Sequence, residues 1–345
     1  NMHSIKKIVP RILLILFVLA CYGTAVRFFY QPMDEVAPYI KKELDASAGK
    51  IDTLFIGTST AYHGLSPQIW DEQMGGYSFN IASASQSIKD SYLYLKQECG
   101  RNPVKRVFLG VSPKGMMKEE VSLKAKIRVY DCLNPFYKLA YLKDHVSIDQ
   151  WLYLSFYPVR VEDYLDLKPV KKNVKYKLSE DYRNNVYPGT AYQGQGFFAP
   201  EKVFKGEAFT TLENTEGSWD TDKVNPEEVE YLNKIIQYCK EEDIEFIMVY
   251  LPVTGKQIQK DGSADEIHQF FAQIAQEGGI EFWDFLNYRD LVEEYTNDKF
   301  KDAHHLNKEG GIQFSRTFVE IYQAYERGED LTQYFGEHCD YYQQQ

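Results

Sequence analysis

The sequence predicts an α/β protein: a three-layer α/β/α sandwich around a five-stranded parallel sheet, interrupted by an inserted subdomain. Three observations carry that expectation. Apolar runs of strand length recur between residues 51 and 115 and again between 244 and 285, each bounded by turn-forming residues. Segments with apolar residues at helical spacing lie between them, the alternation that right-handed parallel crossovers require. The first three runs also end in small polar residues, Gly57-Thr58-Ser59, Ala82-Ser83-Ala84-Ser85 and Ser112-Pro113. Open parallel sheets bind ligands at that end of their strands.

Taken in order, residues 1–30 carry Lys6, Lys7, Arg11 and Arg27 and no acid. Leu13 to Val26 is nearly all apolar, and the stretch extends from Ile8 to Tyr30 with Pro10, Arg11 and Arg27 near its ends. Its length suits a bilayer, and the preceding lysines place the N-terminus in the cytoplasm with the remainder outside. Three readings compete: an uncleaved signal anchor, a cleaved signal peptide, and a lipoprotein signal in which Val18-Leu19-Ala20-Cys21 serves as the processing site. A buried core helix does not fit, because no polar face is present.

Residues 31–50 form a juxtamembrane helix candidate, with Val36, Ile40 and Leu44 at helical spacing. A strand follows, built on Leu54-Phe55-Ile56 and closing at Gly57. Leu65-Ser66-Pro67 opens a short helix through Gln73, with Ser66 as cap and Pro67 at the first helical position. Tyr77 to Ala82 is a second strand, Ser87 to Glu98 a helix and Val104 to Val111 a third strand. Residues 115–225 break the rhythm. They are rich in Tyr and Lys, helical in part over Pro135 to Tyr157, with a Gly/Tyr loop from Tyr187 to Phe198. Such an insertion is a lid or docking face, or equally a peripheral subdomain with no role in chemistry.

Asn225-Pro226-Glu227-Glu228 starts a helix through Lys240, with a cap, a proline and acids in its first turn. Ile244 to Leu251 is a fourth strand, Ser263 to Glu277 a helix capped by Ser263, and Ile280 to Phe285 a fifth strand. Asp284 and Asn287 cap the turn after it. Asn307 to Glu326 is the last long helix, and Gly328 to Gln345 is a polar, loosely held tail. The organisation is therefore an anchor or signal segment (1–30), an α/β domain in two pieces (31–114 and 226–327), an insertion (115–225) and a tail (328–345).

A net charge of −11 with acids spread along the chain leaves no basic stripe, which excludes a nucleic-acid binder. The 27 tyrosines suit carbohydrate surfaces, and a biased gene composition explains them equally well. Cys21, Cys99, Cys132, Cys239 and Cys339 show no metal-like spacing; they read as scattered thiols without a structural disulfide.

Two stretches carry chemistry. Ser59 follows the first strand, where a nucleophile would be placed; a helix cap is the plain alternative. Asp302-Ala303-His304-His305-Leu306-Asn307 precedes the last helix. Asp302 can orient His305 through one ring nitrogen and leave the other free as the base that a serine hydroxyl needs. An Asp before a helix is also a common cap. His304 is a neighbour that faces solvent or packs. His63, four residues past Ser59, is a pocket candidate or a structural histidine. A metal held by Asp302, His304 and His305 lacks a third histidine at ligand spacing, and no metal or cofactor is expected.

These residues resemble the SGNH (GDSL-like) hydrolases. Gly57-Thr58-Ser59 matches the first motif, with Thr58 in place of Asp. Asp302 to Asn307 matches the last, with Leu306 where proline is common. Asn80 matches the leading residue of the second motif, and Ser85 stands where its oxyanion glycine sits. Ser112 occupies the place of the third motif's asparagine. The resemblance covers roughly 51–115 and 226–325 and implies a flavodoxin-like sheet. It further implies a Ser59–His305–Asp302 triad, oxyanion donors at Ser59, Ser85 and Ser112, and a pocket near Asn80, His63 and His304. In layout the chain is most similar to the membrane-anchored proteins of D-alanyl transfer and polysaccharide O-acetylation. That likeness implies an extracytoplasmic serine acyltransferase or esterase acting on acetyl or D-alanyl esters of a polysaccharide or teichoic-acid-like polymer. It also implies a membrane O-acyltransferase as partner. Two alternatives stand beside it: a weakly active scaffold that binds a glycan or that partner, and a secreted lipase-like hydrolase.

Overall fold

The computed structural model describes residues 2–30, 34–117, 121–209 and 217–339. A long helix, α1 (Met2–Phe29), is followed by α2 (Ala37–Ala46). The first βα units are β1 (Thr53–Gly57), α3 (Ser59–Gly64), α4 (Pro67–Met74), β2 (Ser78–Asn80), α5 (Ile88–Cys99) and β3 (Arg106–Val111). Between β3 and the next long helix lie α6 (Pro113–Met116), α7 (Leu123–Cys132), α8 (Pro135–Asp144), α9 (Ile148–Ser155), α10 (Leu167–Lys177) and α11 (Glu180–Arg183). A small ribbon closes that segment, β4 (Tyr192–Gly194) with β5 (Phe197–Phe198). The sheet resumes through α12 (Pro226–Glu241), β6 (Glu245–Tyr250), α13 (Gly255–Asp261), α14 (Ala264–Gly278) and β7 (Glu281–Asp284). The short α15 (Leu291–Glu294) and the long α16 (Lys308–Glu326) complete the fold.

The main sheet has five strands in the order β2-β1-β3-β6-β7, all parallel. Strand order reverses between β1 and β3, which is where a doubly wound sheet opens its ligand crevice. The strands are buried on both faces, so successive side chains feed two cores. Leu54, Ile56, Val107, Leu109 and Met248 face α2, α5, α12 and α14. Phe55, Phe108, Ile247, Val249 and Trp283 face α16 and the short helices after β1. There Phe108 stacks on Phe55 at 5.5 Å between ring centroids, with Trp70 packed edge-on against both.

Several expectations need revision. Ser66 precedes α4, but its hydroxyl donates to Gln68 (3.0 Å) instead of capping the helix, and its own N–H donates to Ser315 Oγ (2.8 Å). Pro67 at the first helical position needs no partner for its missing N–H, so the turn closes without the cap. The expected loop over 187–198 holds the β4–β5 ribbon. Its Gln195 carbonyl accepts from Asn80 N (2.8 Å), which ties the insertion to the edge of the sheet at β2. The tail is packed through its described part: Phe335 lies against Phe285 and Cys339 is buried. All five cysteines are free thiols. The stretch Lys7–Phe29 of α1 is long and apolar enough to cross a membrane.

Candidate active site

Local sequence forces the turn after β1. Gly57 has φ +127°, and a Cβ there would come within 2.5 Å of the Gly110 carbonyl oxygen on β3. Only glycine fits so close an approach. The chain then turns through the extended Thr58 into α3, and Ser59 becomes the first residue of that helix. Asn80, fully buried on β2, donates its amide to the carbonyls of Ala61 (3.0 Å) and Leu65 (2.9 Å) and so holds α3 and the turn that follows it.

The second loop is fixed as tightly. Asn307 caps α16 by accepting from Gly310 N (3.0 Å) while its amide donates to the carbonyls of Asp298 and Phe300. Thr254, after β6, donates from both its N–H and its hydroxyl to the Ala303 carbonyl (3.1 and 2.9 Å). Asp302 accepts from the backbone of His304 (3.0 Å) and His305 (3.1 Å) through Oδ1. One carboxylate therefore closes the loop turn and orients the ring, while the cap of α16 is Asn307.

The two loops, 246 residues apart, meet. Ser59 Oγ lies 2.7 Å from His305 Nε2, and His305 Nδ1 lies 2.7 Å from Asp302 Oδ1. A carboxylate can only accept, so Nδ1 carries the proton and Nε2 presents its lone pair to the serine hydroxyl. Asp302 loses hydration here, but its hydrogen bond to His305, the charge beside it and the backbone donors outweigh that loss. Its carboxyl is held well below the usual range.

Behind His305 lies a second, buried layer. His63 is fully buried and packs its ring 5.0 Å from that of His305, outside the pocket wall. Its Nδ1 donates to the Phe198 carbonyl on β5, so Nε2 accepts from Lys301 Nζ at 2.8 Å. Burial, then Lys301, holds His63 well below the ordinary histidine range, and it is neutral. Lys301 Nζ also lies 3.8 Å from Asp302 Oδ2. Of the two readings of His63, the buried, bracing one matches its contacts, and Asn80 likewise holds backbone carbonyls behind the site.

A cavity of about 240 Å³ opens in front of Ser59, walled by Ser85, Ser112, Lys114, Gln257, Asp261 and His304 among others. Ser85 adopts φ +56°, a conformation in which glycine is cheaper. The backbone N–H groups of Ser59 and Ser85 are taken by no acceptor among the described residues. Ser112 lines the cavity, but its Oγ accepts from Gly115 N (3.3 Å) as the cap of α6. His304 faces the cavity; burial, then its neighbour His305, lowers it to about 4. Sequence reasoning missed Gln257 and Asp261. Gln257 donates to Asp261 (2.6 Å), whose carboxyl burial pushes up to about 6. Thr254 caps the helix that presents them, followed by an i, i+4 Gln–Asp pair, and that signal stood in the sequence.

No family model matches the chain, and no curated protein matches it. Among solved structures, it is similar to a GDSL-like lipase from Bacteroides thetaiotaomicron (11% identity, TM-score 0.40, 85% of this chain and 100% of that one). It is similar also to a suggested acylhydrolase from Bacteroides fragilis (11%, TM-score 0.40, 84% and 95%). A third is a suggested platelet activating factor from Streptococcus pneumonia (13%, TM-score 0.39, 88% and 97%). At that level of likeness, the functional reading is carried by the geometry of the chain itself.

Proposed function

We propose that the protein is a serine esterase or acyltransferase that works through an acyl-Ser59 intermediate. The observation that carries this reading is the unbroken relay Ser59–His305–Asp302 at the mouth of a cavity. His305 Nε2 takes the hydroxyl proton as Ser59 Oγ adds to an ester carbonyl. The N–H groups of Ser59 and Ser85 face the oxygen that becomes negative. Collapse expels the alcohol, which leaves with the proton held by His305. Water or an acceptor hydroxyl then repeats the sequence in reverse and frees the serine. Asp302 keeps the imidazole in the productive tautomer throughout.

The cavity lies below the roughly 300–1,000 Å³ of pockets for drug-sized ligands, which favours a short acyl group such as acetyl or D-alanyl. With α1 crossing the membrane and its lysines inside, the substrate is an ester of a cell-envelope polymer and a membrane O-acyltransferase is a fitting partner. The test is turnover of p-nitrophenyl acetate by the full chain in detergent. Activity that vanishes in Ser59→Ala supports the reading, and equal rates in the two proteins refute it. One observation favours the scaffold reading: Ser112, a short side chain in the place of the third-motif asparagine, is held in position as the cap of α6. Full complementation of a deletion strain by Ser59→Ala would decide for it.

A further inference from the structure

The last turns of α1 do not stand free of the rest of the chain. Tyr22 meets Phe156 (6.4 Å between centroids), and a Cβ at Gly23 would touch Phe156 (3.7 Å) and Pro158 (3.9 Å). Val26 is buried. Asn173 on α10 donates to the carbonyls of Phe28 and Phe29, both at 3.1 Å, and Lys177 donates to those of Arg27 and Phe28.

These contacts fix depth. The apolar span Lys7–Phe29 has 23 residues, about 35 Å at 1.5 Å per residue. If everything packed on Gly23 stayed in water, about 16 residues, or ~24 Å, would remain to cross a hydrocarbon core of about 30 Å. The whole span is used only if Phe156 and Pro158 sit about 9 Å below the level of Phe29, within the apolar layer.

The elements joined to that contact are built for it. Ile148 and Leu152 stand one turn apart on α9, which runs directly into Phe156; Ile148 is 79% exposed. Leu165, in the turn before α10, is 89% exposed. Single exposed apolar side chains are ordinary, whereas a contiguous exposed apolar patch marks an interaction surface. The carboxylates nearby are already used: Asp163 accepts from Leu165 N, and Asp166 caps α10. Residues 135–177 hold eight Lys and Arg against five acids, in a chain whose net charge is −11. Lys168, Lys171, Lys172 and Lys175 lie on α10 beside the end of the span. There Arg27 crowds Lys177, whose ammonium is lowered to about 8, by burial first and Arg27 second.

We propose that segment 135–177 is a second membrane contact, with Phe156, Ile148, Leu152 and Leu165 immersed in the outer leaflet and the α10 lysines on anionic phosphate headgroups. The proposal rests on the reading of α1 as an uncleaved span. An interfacial surface of this type combines buried apolar area with attraction to anionic lipid, and it fixes the orientation of the active site relative to the membrane.

The test uses the full chain in nanodiscs of phosphatidylcholine and phosphatidylglycerol carrying an acyl-chain diazirine lipid, photolysed and mapped by peptide mass spectrometry. Lipid adducts are expected in 7–29 and also in 148–167. The triple variant Ile148→Glu, Leu152→Glu, Leu165→Glu should lower the second set at least ~5-fold and leave the first unchanged. Adducts in 7–29 alone would overturn the proposal while sparing the anchor, as would coverage of this patch by a protein instead of lipid. Absence of adducts from 7–29 as well would show that the anchor reading itself had failed. Changing Lys168, Lys171, Lys172 and Lys175 to Gln should abolish any rise in 148–167 adducts with phosphatidylglycerol content; a rise that survives contradicts the headgroup contact.

Discussion

Asp302 shows how much one side chain can decide. Its Oδ1 holds both the His305 backbone and the His305 ring. In Asp302→Asn the amide offers a donor as readily as an acceptor, and the imidazole can turn its protonated nitrogen toward Ser59. Turnover of p-nitrophenyl acetate should fall roughly 10³–10⁴-fold with little loss of folding; a loss under tenfold would contradict the orienting role. His304 gives a pH test. It is lowered to about 4 when folded, by burial first, and protonates near 6.5 when unfolded. The folded chain then binds fewer protons between those values, so stability present above 6.5 is lost as the pH falls toward 4. Gln does not titrate, so His304→Gln should gain melting temperature relative to wild type between pH 7 and pH 5; a constant difference would contradict the assignment. Ser59, Asp302 and His305 were legible in the sequence because each sits in a short motif beside an element end. The role of Lys301 was not, because its partner His63 lies 238 residues away and is reached only through the fold.

Among the elements, the strands were legible because burial on both faces leaves continuous apolar runs. The short helix α3 was not, and α13 announced itself only through its Thr254 cap and its Gln257–Asp261 pair. Six or seven residues carry too little periodicity to register, and α3 begins with Ser-Thr, a pair that also reads as a turn. Yet α3 carries Ser59 at its first position. Its geometry depends on the Gly57 turn, so Gly57→Ala should cost about 2–4 kcal/mol, read as a lower denaturation midpoint of the full chain, because φ +127° and the 2.5 Å approach to Gly110 both oppose a Cβ. An unchanged midpoint would mean that the β1–β3 contact is looser than described. The β4–β5 ribbon escaped for another reason. Its strands are two and three residues long, and its value comes from Gln195 and Phe198 carbonyls, which sequence pattern does not reveal.

Taken whole, the chain splits its labour between a sheet that builds the site and an insertion that surrounds and braces it. The insertion was visible as a break in the βα rhythm, but its dual reach was not: Phe198 supports His63 at the site, while Phe156 and Asn173 hold the far end of α1. Both depend on tertiary contacts more than a hundred residues apart in sequence. The molecule thereby links a membrane-length helix to a serine, a histidine and an aspartate through one folded body. The most direct measurement is to mix the full chain with p-nitrophenyl acetate, quench in acid within the first turnovers and locate the acetyl group by peptide mass spectrometry. The account predicts acetyl on Ser59, with much slower formation in His305→Ala and none at that position in Ser59→Ala. Acetyl that accumulates elsewhere at the wild-type rate, with Ser59 unmodified, would contradict it.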